Sequence, residues 1–179
     1  LIMNNNVMQK LSPKAFWIFF FRFLFVGLFF FVFIGAWLLS FLIQIIRITG
    51  EKIVLWWLLP LFVLYLVFCW IWAKLTYRFW RYQLAEGAFK KEQGVIWKKY
   101  VSIPYERIQN VDIRRGVLER ILGLSSLFIQ TAGYSAVYYG RGRAIGMGAE
   151  GYLPGLEKDV AEQLREELIK RAKGARQGL

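Results

Sequence analysis

The chain has 179 residues, of which 57% are hydrophobic and 18% aromatic, and its formal net charge is +12. This apolar excess is larger than one soluble core of that length needs, so a membrane protein is the first expectation. Histidine, the commonest general base and metal ligand near neutral pH, does not occur, and the single cysteine, Cys69, lies in an apolar run. The composition therefore disfavours disulfide frameworks, metal sites and catalysis, and we expect a non-enzymatic chain without a cofactor.

Apolar residues are concentrated between residues 11 and 73, and most charged residues follow from Lys74 onward. We expect two regions: an N-terminal segment with a transmembrane hairpin over residues 1–73, and one compact domain over residues 74–179. The second region carries 19 basic and 11 acidic residues, a net charge of +8.

Two uncharged runs, 23–43 and 53–73, are each long enough to cross a hydrocarbon core of roughly 30 Å as a helix. We predict spanning helices over about residues 15–46 and 53–73. The connection from Arg47 to Lys52 is too short to hold a domain, so the helices are expected to form a tight antiparallel hairpin.

Basic residues predict the orientation of this hairpin, because they are commoner before the first run and after the second than between the runs. We therefore predict a multi-pass protein of the cell membrane with both termini in the cytoplasm. Lys74, Arg78 and Arg81 follow the second run, and with Arg141 and Arg143 they are candidate contacts for anionic lipid headgroups. The positive-inside rule alone also explains the first three.

Beyond Lys74 the sequence alternates polar and apolar residues, which is typical of half-buried strands. Strands are predicted over 81–84, 89–92, 96–103, 108–115, 127–133 and 151–153, single helical turns over 105–107 and 117–122, and an uncertain hairpin or loop over 134–151. The chain ends in an amphipathic helix, about 157–173, which is expected to cover the sheet.

An ordered series of short motifs runs through residues 80–173. In chain order they are Tyr82-Gln83-Leu84 with Glu86-Gly87, Gly94-Val95 with Trp97, Ile103-Pro104, Arg107-Ile108-Gln109-Asn110-Val111-Asp112, Gly116 with Leu118-Glu119-Arg120, Gly123-Leu124, and Thr131-Ala132-Gly133. In this order and spacing they resemble the bacterial pleckstrin-homology-like (PH) membrane proteins of the YdbS type. The resemblance implies a strongly bent, seven-stranded antiparallel sheet closed by a C-terminal helix, used as a binding module and with no known reaction.

The predicted fold class is therefore a two-helix transmembrane hairpin followed by a PH-like bent antiparallel sheet with a C-terminal capping helix. The sequence departs from the family pattern at residues 134–151, which are longer and richer in tyrosine, and at Glu157, where Ser or Thr often begins the helix. The motif residues most simply have structural roles: Pro104, Arg107, Gln109, Asp112, Gly116, Glu119, Arg120, Gly123 and Gly133.

Two functions fit these features. The first is a membrane-anchored adaptor that binds membrane lipids or a partner protein at the inner membrane surface. The second is an accessory subunit of a larger transporter or enzyme complex, since proteins that resemble this family are often paired with a larger membrane protein carrying related PH-like domains. Nucleic acid is not an expected partner, because the basic residues cluster beside the membrane and the aromatic ones lie mainly in the spanning runs.

Overall fold

The computed structural model of the chain describes residues 8–49, 58–131 and 150–177. These residues form two compact units. Phe19–Leu75 form the helical hairpin, and the described residues on either side of that segment together form the second unit, which we call the sheet domain.

The secondary structure follows the predicted order, with one additional strand at the start. The elements are β1 (Gln9–Lys10), α1 (Ala15–Thr49), α2 (Leu58–Phe79), β2 (Arg81–Leu84), β3 (Ala88–Gln93), β4 (Lys99–Pro104), a 3₁₀ turn (Tyr105–Arg107), β5 (Ile108–Arg114), α3 (Val117–Leu122), β6 (Leu124–Thr131), β7 (Gly151–Glu157) and α4 (Lys158–Gln177).

By length and composition, α1 and α2 could each cross a membrane, over Ala15–Phe41 and Leu59–Phe79. Helix α1 begins where the sequence predicts and continues past residue 46 to Thr49. Helix α2 continues past the predicted end at residue 73 to Phe79. The first three residues of the predicted connection, 47–49, are therefore helical. The rest of that connection and the predicted start of the second helix lie outside the described residues.

Aromatic side chains join the two helices of the hairpin. Phe31 of α1 stacks on Tyr65 of α2, with ring centroids 5.6 Å apart. The Tyr65 hydroxyl donates a hydrogen bond to the carbonyl of Leu24 over 2.8 Å. This approach depends on Gly27, because a Cβ there would lie 2.6 Å from the tyrosine oxygen. Small residues allow this kind of close approach between apolar helices.

The described strands form two antiparallel sheets. The first has the order β1-β2-β3-β4 and the second the order β5-β6-β7. The predicted start of the third strand at Ile96 is wrong, because β4 begins at Lys99. Gly94 has a φ of 110°, and a Cβ on it would collide with the Trp97 carbonyl, so a tight turn occupies the predicted beginning of the strand. The strand predicted over 151–153 extends to Glu157.

Strand β1 is not among the strands that the sequence predicts. Its two residues, Gln9 and Lys10, pair with Tyr82 and Arg81 of β2. Two polar residues cannot show the alternation by which a half-buried strand is recognised. The structure thereby adds the segment before α1 to the sheet domain.

The C-terminal helix covers the sheet, as predicted. Helix α4 contacts β5, β6, β7 and the 3₁₀ turn. Its buried residues recur at the helical spacing expected from the sequence: Ala161, Leu164, Leu168 and Ala172. Val160 is half-buried.

The first turn of α1 packs against β7. Gly155 of β7 has a φ of 67°, and a Cβ on it would collide with the Cβ of Ala15. Ala15 is fully buried, and Leu11 just before it is 3% exposed. Residues 8–18 are therefore fixed to the sheet domain by side-chain packing as well as by strand pairing.

Replacing Gly155 by alanine is expected to destabilise the chain more than replacing Gly123, which also has a positive φ of 70° but open space around it. Both variants incur the conformational cost of a left-handed residue, roughly 1–2 kcal/mol. Only Gly155→Ala adds the collision with Ala15, which costs about 1–3 kcal/mol more. Thermal unfolding of the full chain in detergent measures both shifts in Tm. Equal shifts would contradict the packing of α1 on β7.

Candidate functional site

One end of the four-stranded sheet is lined by exposed basic side chains. Lys10 and Arg81 are paired across β1 and β2, and Lys99 is the first residue of β4, opposite the last residue of β3. Lys98 directly precedes β4. All four side chains are exposed, and we call this group the basic edge. Antiparallel pairing brings these residues to one end of the sheet although they are distant in sequence.

Of this group, only Arg81 is among the headgroup contacts predicted from the sequence. The four residues come together only through the strand order β1-β2-β3-β4. That order cannot be predicted from the sequence, because β1 has two residues and no periodic pattern.

Near the basic edge, Glu92 of β3 supplies an acidic partner. Its carboxylate lies 3.6 Å from the Lys98 ammonium, and the Lys98 side chain is half exposed. An exposed ion pair of this kind contributes little to stability. A net positive charge therefore remains at the edge.

The predicted headgroup contacts fall in different parts of the structure. Arg78 in the last turn of α2 and Arg81 at the start of β2 are exposed and belong to the sheet domain. Lys74 belongs to the hairpin unit, where its ammonium lies 4.7 Å from the centre of the Trp70 ring. Arg141 and Arg143 lie outside the described residues.

Glu119 is the motif residue with the best-defined structural contacts. It is 9% exposed, and its carboxylate accepts hydrogen bonds from the Gly116 N–H, over 2.6 Å, and from the Ser126 hydroxyl. The first bond caps the start of α3, as an N3 glutamate does in a capping box. The second ties α3 to strand β6.

Asp112 has a similar bridging role on β5 and β6. Its two carboxylate oxygens accept hydrogen bonds from the amides of Asn110, over 3.0 Å, and of Gln130, over 3.1 Å. The carboxylates of Glu119 and Asp112 thus both accept hydrogen bonds from other residues of the sheet domain.

The remaining motif residues mark turns or lie on the surface. Gly123 ends α3 in the left-handed conformation, and Pro104 precedes the 3₁₀ turn. Arg107, Gln109 and Arg120 have exposed side chains. Gly133 lies outside the described residues.

Lys91 is a buried cation that the sequence analysis did not single out. It is 5% exposed and points from β3 into the domain. Its ammonium lies 5.8 Å from the centre of the Trp80 ring and 3.5 Å from the carbonyl oxygen of Tyr152. Burial, reinforced by the charge of Lys99, lowers the pKa of Lys91 to about 8, although Glu150 opposes this change.

A shallow depression lies at the turn between β2 and β3. Its volume is about 550 Å³, and it is lined by Gln83, Ala85, Glu86, Gly87, Ala88 and Lys90. Arg171 of α4 fixes this turn, because its guanidinium donates to the Ala85 carbonyl over 3.1 Å. The described lining thus offers one carboxylate and one ammonium on an open surface. No three His, Cys, Asp or Glu residues of the described chain group closely enough to hold a metal ion.

A family model described as Bacterial PH domain matches residues 18–172. The chain belongs to the bacterial PH domain family. The match covers the helical hairpin as well as most of the sheet domain, and it confirms the family predicted from the ordered motifs. No curated protein and no solved structure gave a significant match to the chain.

The predicted fold class is likewise confirmed for this bacterial PH domain protein, since two long helices precede antiparallel sheets and a covering C-terminal helix. PH-like domains are in general binding modules for lipids or proteins and generally non-catalytic. The site to consider is therefore a binding surface.

The buried Lys91 makes stability depend on pH in a defined direction. An unfolded lysine holds its proton up to about pH 10.5, whereas folded Lys91 loses it near pH 8. Between these values the unfolded state binds more protons, so the free energy of unfolding rises with pH, by up to about 3 kcal/mol. Burial raises the pKa of Tyr82 to about 12. Above pH 10 an unfolded tyrosine loses its proton more readily than folded Tyr82 does, so the free energy of unfolding falls again as pH rises further.

Thermal unfolding of the full chain in detergent between pH 7 and pH 10 tests this dependence. We expect the Tm of the wild type to rise over this range and that of Lys91→Met to stay nearly constant, with the variant more stable at pH 7. The exposed neighbour Lys90 provides the control, as Lys90→Met should keep the wild-type profile. A Lys91→Met profile parallel to that of the wild type would contradict the assignment.

Proposed function

We propose that the chain is a membrane-anchored binding module whose sheet domain is held at the anionic inner surface of the cell membrane. The hairpin anchors the chain with both termini in the cytoplasm, and the basic edge contacts lipid headgroups. The YdbS type of bacterial PH domain protein is the subtype that this arrangement fits.

The observation that carries the proposal is the pairing of β1 with β2. The segment before α1 and the segment after α2 are neighbouring strands of one sheet, so the sheet domain is attached to both ends of the hairpin. Two attachments restrict how far the domain can move from the bilayer that the hairpin would cross.

The charge distribution supports a lipid partner. Two residues of the basic edge lie on the strands that adjoin the hairpin: Lys10 is on β1, shortly before α1, and Arg81 is on β2, shortly after α2. Basic residues close to an anionic leaflet each contribute about 1 kcal/mol to attraction. A domain held at this distance therefore gains binding energy without a deep pocket.

Lipid selectivity tests this proposal. In vesicles of neutral and anionic phospholipid, the lipid immobilised at the protein, followed with spin-labelled lipids, should be enriched in the anionic species for the wild type. Neutralising three residues of the basic edge, by Lys10→Gln, Arg81→Gln and Lys99→Gln, should reduce this enrichment several-fold. The matched control neutralises three exposed lysines of α4, Lys158, Lys170 and Lys173, and should retain it. Unchanged enrichment in the edge variant would refute headgroup binding.

A second candidate function is that of an accessory subunit of a larger membrane complex. The observation that favours it is an apolar pair on α3: Val117 is 67% exposed and Ile121 75% exposed. The two residues are four positions apart and so share one helix face. A contiguous exposed apolar patch can mark a contact with another protein.

Site-specific photo-cross-linking in intact membranes tests the second candidate. A cross-linker that replaces Ile121 should give one discrete adduct, identified by mass spectrometry as a membrane protein with related PH-like domains. The same cross-linker at the exposed Lys173 of α4 is the control and should give none. No adduct from either position would refute a partner at α3.

A further inference from the structure

The turn between β3 and β4 exposes two large apolar side chains. Ile96 is 69% exposed and Trp97 is 86% exposed, the highest value among the large hydrophobic residues of the described chain. Lys98 and Lys99 follow directly and are also exposed. We call residues 95–99 the apolar tip.

The backbone conformation of Gly94 determines the shape of the apolar tip. Gly94 adopts a φ of 110°, which side-chain-bearing residues rarely adopt, and the Trp97 carbonyl occupies the space that a Cβ of Gly94 would need. The turn therefore projects Ile96 and Trp97 beyond the strands that it connects.

The position of the apolar tip decides which partner fits it. The Lys98 ammonium lies 5.8 Å from the centre of the Phe79 ring, and Phe79 is the last residue of α2 and of its candidate membrane span. The tip thus lies beside the point where the chain leaves the span. Tryptophan favours the interface between headgroups and hydrocarbon, and lysine can extend from there to the headgroups.

We propose that the apolar tip inserts into the membrane interface beside the end of α2. Ile96 and Trp97 occupy the boundary between headgroups and acyl chains, and Lys98 and Lys99 contact anionic headgroups. This inference rests on the proposed function, because it requires a hairpin that spans the membrane. It adds a third attachment of the sheet domain to the bilayer, and that attachment is apolar.

A lipid surface fits the apolar tip better than a partner protein. Ile96 and Trp97 are followed by two lysines, and this combination of apolar and basic side chains matches the interface of an anionic leaflet. Protein contacts, by comparison, are depleted in lysine.

The depth of a spin label in nanodiscs tests the proposal on the full chain. Cys69 is replaced by serine, and single cysteines are introduced by Ile96→Cys or by Glu86→Cys. Glu86 is exposed in the β2–β3 turn, at the other end of β3. We expect the label at 96 to be accessible to oxygen and protected from a water-soluble nickel chelate, and the label at 86 to show the reverse. A label at 96 with the aqueous profile of the label at 86 would overturn the inference.

Two companion variants establish whether Trp97 provides the insertion. Adding Trp97→Ser to the Ile96→Cys protein should increase nickel accessibility at 96 several-fold. Adding Ile121→Ser, which removes a 75% exposed apolar side chain on α3, should leave it unchanged. Equal effects of both would overturn the role of Trp97. Trp97 makes few contacts within the fold, so its loss should not unfold the domain.

Carbonate extraction of cell membranes that contain the same variants separates this inference from the function on which it rests. If alkaline carbonate releases the chain from membranes, the proposed anchoring fails, and the inference fails with it. If the chain resists extraction and the label at 96 is aqueous, the anchoring stands and the inserted tip alone is refuted. A label at 96 protected equally in neutral and anionic nanodiscs would support apolar insertion and overturn the lysine–headgroup contacts.

Discussion

The pairing of β1 with β2 is the contact on which the arrangement of the sheet domain depends. It is small, because only Gln9 and Lys10 take part, but it closes a chain segment that includes the whole hairpin. Packing reinforces it, since Leu11 and Ala15 are buried next to it. A pairing of two residues would be weak alone, and the fit of Ala15 against Gly155 of β7 gives it a fixed position.

The elements predicted correctly from the sequence carry a local signal, such as the continuous apolar run of α1, the periodic burial of α4 or the glycine that ends α3. Ala161, Leu164 and Leu168 recur at helical spacing and form the buried face of α4, and Gly123 marks the end of α3. Strand β1 could not be predicted, because it is defined by its pairing with β2, and the whole hairpin separates these two strands in sequence. The start of β4 was missed for a related reason, since alternation cannot tell an extended strand from a turn that exposes Ile96 and Trp97.

The candidate site was predictable only where its residues follow one another in sequence. Arg78 and Arg81 follow the second apolar run directly and were identified. The basic edge includes Lys10 and Lys99, which strand register brings to the same end of the sheet, and register is not visible in composition. Glu119 and Asp112 are expected to have structural roles, and each carboxylate accepts hydrogen bonds within the sheet domain.

The proposed attachment of the sheet domain to the bilayer by several weak contacts would not require a deep pocket. If the hairpin spans the membrane as proposed, each further contact of the sheet domain with the bilayer would form within one molecule and benefit from a high effective concentration. The proposed headgroup contacts of the basic edge would weaken as ionic strength rises, whereas the proposed apolar insertion of Trp97 would not. Two contacts that differ in their dependence on salt would keep the domain oriented when either one is reduced. The same orientation would leave the β2–β3 turn, with its shallow depression and the fixed Arg171, as the surface directed toward the cytoplasm.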